Sequence, residues 1–80
     1  MKYEVRVQLK KDVLNVEAKE VLSAIKSQGF SVANLQTAKL FTLEIDGADD
    51  EAFESAKRIA KEILTNEVIE SFYITKVNES

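Results

Sequence analysis

Four acidic side chains fall within a six-residue stretch, Asp46, Asp49, Asp50 and Glu51, and are the nearest this chain comes to a metal cage or a carboxylate pair. A calcium loop spaces its oxygen ligands at fixed intervals. These acids instead follow the Asp46-Gly47 turn and lead a helical pattern, where Asp49 or Asp50 is placed to cap the helix. Acid–base and nucleophilic chemistry have less to draw on. There is no His and no Cys, so the commonest general base and the thiol nucleophile are both missing. Ser23, Ser27 and Ser31 have no candidate base beyond lysines on the same solvated faces. The only glycines, Gly29 and Gly47, lie far apart, so no glycine-rich loop can cradle a phosphate. No catalytic, cofactor-binding or metal-ligating residue is expected. One polar residue stands apart: Lys39, at a turn before the best-patterned central strand, is a candidate partner contact. Its plainer role is that of an edge lysine that discourages strand addition.

The elements that would carry these residues follow from periodicity. Tyr3, Val5, Val7 and Leu9 alternate with Glu4, Arg6 and Gln8, the pattern of a strand with one face on a core and one in water. Asn15 offers an N-cap, and Ala18, Val21, Leu22 and Ile25 recur at helical spacing up to Gly29, a left-handed stop. Residues 32–45 read as extended. The second half alternates Phe41, Leu43 and Ile45 against Thr42, Glu44 and Asp46; the weaker first half forms either a hairpin turning near residues 37–39 or one bent strand. Ala52, Phe53, Ala56, Ile59, Ala60, Ile63 and Leu64 make the apolar stripe of a second helix, with Phe53 and Ile59 expected mid-core. Asn66 breaks that helix. Residues 68–77 form a last strand whose facing is open, Phe72 and Ile74 competing with Tyr73 and Val77. The order predicts an α+β fold: a two-layer ferredoxin-like β-α-β-β-α-β sandwich, with an antiparallel sheet and two helices on one face.

Eighty residues make one domain, residues 1–80. A compact 9.0 kDa chain exposes roughly 4,900 Å², of which a standard interface would take about 800 Å² per partner. Hydrophobic residues at 45% and charged residues at 31% exclude a disordered chain. A domain this small is marginal alone, and without cysteine or histidine neither disulfides nor a usual zinc site can support it, which leaves oligomerisation. The net charge of −3, with no dense Lys/Arg cluster, argues against nucleic acid. No apolar run reaches a membrane span, and the immediate strand pattern argues against a signal peptide. A cytoplasmic location fits the cysteine-free composition.

Three stretches resemble one family. VRVQLKKDVLN is similar to the opening strand of PurS proteins, small subunits of phosphoribosylformylglycinamidine synthase; AKLFTLEI resembles their Gly-Lys followed by an alternating strand; EILTNEVIESFYI resembles their Leu-Leu-x-Asn-Pro-Val-Ile-Glu-x-Tyr. The likeness covers residues 2 to 77. Asn15-Val16-Glu17-Ala18 stands for the family's Asp-Pro-x-Gly, Gln36-Thr37-Ala38-Lys39 keeps only the lysine of Arg-x-Gly-Lys, and Asn66-Glu67-Val68-Ile69-Glu70 lacks the proline. The resemblance implies a non-catalytic subunit that dimerises, in some members to tetramers. It would bridge a large synthetase subunit, PurL, and a glutaminase subunit, PurQ. The complex uses ATP, Mg and glutamine to convert formylglycinamide ribonucleotide to its amidine in purine biosynthesis; ATP and nucleotide binding belong to the other chains. The alternative is a free-standing ferredoxin-like ligand-sensing domain, for which the glycine-bearing contact loops are lacking. An RNA-recognition domain of the same order would need exposed strand aromatics, with Phe41 the residue to recruit.

Overall fold

The computed structural model describes residues 1–77. Its elements are β1 (Lys2–Leu9), α1 (Val16–Ser27), β2 (Lys39–Glu44), α2 (Asp49–Ile59), which runs on into a π-helical turn (Ala60–Leu64), and β3 (Glu70–Val77). The sheet is antiparallel in the order β2-β1-β3, the α+β ferredoxin-like architecture expected. Among the described residues it has three strands. The weakly patterned stretch before Lys39 joins no strand as either a hairpin arm or a bent extension.

β1 is the central strand, paired on both sides. Tyr3, Val5 and Val7 are each 1% exposed or less. Across the ladder Val5 stands opposite Phe41 and Ile74, and Val7 opposite Lys39 and Phe72. Paired residues share a face, so Phe72 and Ile74 turn to the core and Tyr73 and Val77 turn away. That resolves the facing of β3.

α2 covers this face with Ala52, Ala56 and Ala60, all fully buried at i, i+4, i+8. Small side chains on one line let the helix axis approach the strand, and the larger volume comes from the sheet side as Tyr3, Val5 and Val7. Leu64 continues the line against Val5, Val7 and Ala60. The expected stripe was wider. Phe53 is 40% and Ile63 74% exposed, because they flank the alanine line rather than lie on it, and Ile59 is half-buried. Phe53 reaches the core only at its edge, its ring tilted against that of Tyr3 at 6.1 Å.

The helix ends divide between expectation and correction. Asn15 caps α1, its side-chain oxygen accepting from the Ala18 N–H at 3.0 Å, and Gly29 closes it at φ 91°. α2 is capped by Ala48 with no side-chain bond. Asp49 and Asp50 lie inside the first turn, favourable toward the helix dipole but past the capping position. Asn66 makes the turn into β3: its carbonyl accepts from the Ile69 and Glu70 N–H groups, and its side-chain oxygen accepts from the Val68 N–H at 3.2 Å.

Candidate partner-contact site

The uncovered face of the sheet carries the alternate set of side chains. Arg6 on β1 stands opposite Leu40 on one side and Tyr73 on the other, a row across all three strands. Its guanidinium carbon lies 5.2 Å from the Tyr73 ring centroid, a cation–π contact at an exposed site. Leu40 is 61% and Tyr73 49% exposed. Lys39, the sequence candidate, begins β2 opposite Val7, so its register is that of the core-facing set rather than of the Arg6 row; at the strand end it is exposed, with no ion-pair partner among the described residues. With Glu4, Arg6, Leu40, Tyr73 and Thr75 it lines a recess of about 480 Å³. The open face therefore offers a guanidinium, a carboxylate, a phenol and an apolar side chain to something that binds, with Lys39 at the border of the recess.

Of the acids at the start of α2, Asp49 is engaged structurally: its carboxylate accepts from Lys76 Nζ at 3.5 Å, and its carbonyl from the Tyr3 hydroxyl at 3.5 Å. No group of three or more His, Cys, Asp or Glu side chains gathers for a metal among the described residues. The Ser27 hydroxyl donates to the Ala24 carbonyl at 2.7 Å, bonded within its own helix. Phe41 packs against the Val5–Val7–Ala60 cluster, so it is unavailable for base stacking. No helix among the described residues is long and apolar enough to cross a membrane.

The structure gathers Arg6, Leu40 and Tyr73, which the sequence pattern did not single out as a site, and sets Lys39 at the border of their recess with the opposite facing. The outward parity of Arg6 is plain in the alternation of β1. What was missing was the register, which alone brings Leu40 and Tyr73 to its two sides.

A three-stranded antiparallel sheet with helix α2 on one face and the opposite face open defines a small α+β protein of the ferredoxin-like class. Residues 2–78 match the family model described as PurS: Phosphoribosylformylglycinamidine (FGAM) synthase. The PurS subunit of Methanocaldococcus jannaschii is 33% identical over 70 residues, spanning 85% of this chain and 84% of its own. Its crystal structure superposes with a TM-score of 0.85 at 30% identity, covering 96% and 98% of the two chains. PurS of B. subtilis follows at 28% identity and TM-score 0.83, covering 92% and 94%. A chain in the PurLQS structure of Thermotoga maritima has the same fold, with TM-score 0.72 at 18% identity and 95% coverage of each. This chain belongs to the PurS family of phosphoribosylformylglycinamidine synthase subunits.

Proposed function

We propose that residues 1–80 act as one domain, the non-catalytic small subunit of a phosphoribosylformylglycinamidine synthase complex in purine biosynthesis. The observation that carries this reading is the family match across residues 2–78, which spans every element of the fold. In this role the chain binds no cofactor. The ATP-dependent ligation, with its Mg and glutamine, takes place in a large synthetase subunit and a glutaminase subunit of the PurL and PurQ kinds, and this chain holds the two together in the cytoplasm. It does so as a homo-oligomer, a dimer that can pair into a tetramer.

Lys39, with Arg6 and Tyr73, is the contact to a neighbouring subunit. An exposed lysine at the strand end, bordering the recess lined by an exposed aromatic and aliphatic row, suits a partner surface that wraps the β2 end and carries a carboxylate at the edge of an apolar patch. Affinity capture with this chain as bait should recover a large synthetase and a glutaminase; recovery of neither refutes the assembly role. Lys39→Ala removes one exposed charge and should move stability by about 0.5 kcal/mol or less. In the reconstituted complex it should lower glutamine-driven synthesis more than synthesis from added ammonia. Equal rates for wild type and variant in both assays would return Lys39 to the role of an edge lysine.

A further inference from the structure

The two most exposed large apolar side chains lie on one short connection. Among the described residues Val68 is 81% and Ile63 74% exposed, and Ile69, next to Val68, is exposed as well. A single aliphatic side chain on a surface calls for no account. These two are held outward by the backbone around them. In an α-helix the residue three places on shares the face of the first, so Ile63 would stand beside Ala60 over the sheet. The π-helical turn over Ala60–Leu64 is wider. It returns Leu64 to the cluster of Val5, Val7 and Ala60 and carries Ile63 out.

Val68 is fixed by hydrogen bonds. The Asn66 carbonyl accepts from the Ile69 N–H at 3.1 Å and the Glu70 N–H at 2.7 Å, and its side-chain oxygen accepts from the Val68 N–H at 3.2 Å. The Asn66 N–H donates to the Glu70 carboxylate at 2.8 Å. The Ile69 carbonyl accepts from the Lys10 N–H at 2.9 Å, which ties the turn to the end of β1. A turn bonded in this way is ordered before anything binds, so little entropy is lost on association. Its charge is also unspent. Glu62 is held by Arg58 at 3.6 Å, whereas Glu67, next to Val68, has no ion-pair partner among the described residues.

We infer that the connection from Ile63 to Ile69 docks on a different polypeptide chain: Val68 and Ile63 enter an apolar socket on another subunit of the complex, and a lysine or arginine at the rim of that socket meets Glu67. The inference rests on the assembly reading and adds to it a second surface and the chemistry of its partner. An apolar centre with a charged rim is the ordinary anatomy of such a contact. A second copy of this chain does not suit, because twofold pairing through the turn would set Glu67 against Glu67. None of these residues lines the recess around Arg6, Leu40 and Tyr73. The chain thus carries two separate contact surfaces, as holding two subunits together requires.

The test is calorimetric binding of the full chain to a purified large synthetase and to a purified glutaminase, with sedimentation and melting of every variant. Val68→Asp and Ile63→Asp should each weaken binding to one of the two subunits by about tenfold or more. Glu67→Lys should weaken it further as the salt is lowered, since a rim charge acts through electrostatic attraction. Ser55→Asp, exposed on α2, should bind as wild type, and all four should keep the wild-type oligomer mass and melting midpoint. Val68→Thr, close to valine in shape, should show a smaller loss in the same direction and reads the contact even where a charged variant melts early. Unchanged binding by the Val68 and Ile63 variants overturns the docking surface and spares the assembly reading. A changed oligomer mass would assign the turn to a contact between copies and overturns it too. A wild-type chain that binds neither subunit overturns both readings.

Discussion

α2 lays Ala52, Ala56 and Ala60 on the sheet with no exposure left, whereas α1 carries Val21, Leu22 and Ile25 and fully buries none of them. By hydropathy alone α1 is the more apolar helix, and α2 is held to the core. The difference lies in what each face meets. An alanine line needs only a strand bearing large side chains, and β1 supplies Tyr3, Val5 and Val7 within the same chain. Branched side chains need a surface to interdigitate with, and the chain presents none beneath α1. The packing of α2 on β1 is complete within the chain; that of α1 is not.

Three substitutions break or sharpen that contrast. The largest effect belongs to Tyr3→Ala, at 1% exposure in the α2 core: it should cost about 3–5 kcal/mol. That is a large share of a small domain's stability, so the melting midpoint should collapse; an unchanged melt would show that α2 does not pack here. Next, Ala56→Leu adds volume at a fully buried position against Tyr3 and should cost about 1–3 kcal/mol, although leucine is an excellent helix former. A stabilised variant would mean that the α2–β1 interface is loose. Smallest is Asn15→Ala, which removes the cap acceptor for the Ala18 N–H and the donor to Thr37. It should cost about 1 kcal/mol and act locally, with faster amide exchange in α1 and unchanged protection in β1. Equal loss of protection in both would show that α1 and the sheet fold as one unit.

The features legible in the sequence were those written in local pattern. The alternation of β1 and of residues 41–45, the Asn15 cap, the Gly29 stop and the Asn66 turn each need only near neighbours in the chain. What local pattern could not give was competition among apolar residues on one helix. Phe53 and Ile63 satisfy helical periodicity as well as Ala56 does, but the distance to β1 selects the small residues and leaves the large ones at the margin. The facing of β3 and the Leu40–Arg6–Tyr73 row depend on register between strands distant in sequence, so neither could be read from the strand itself. The stretch over 32–37 was weakly patterned, and its departure from the sheet follows: nothing in it alternates strongly enough to hold an edge position within one chain.

The proposed role is assembly of an enzyme, with the chemistry left to the other subunits. The direct measurement is synthesis of formylglycinamidine ribonucleotide by purified components, assayed for this chain alone, for the large synthetase and glutaminase subunits without it, and for all three together. The account predicts no turnover by the chain alone, and glutamine-driven synthesis that rises at least tenfold when the chain joins the other two. Turnover by the isolated chain, or full glutamine-driven activity without it, would contradict the account.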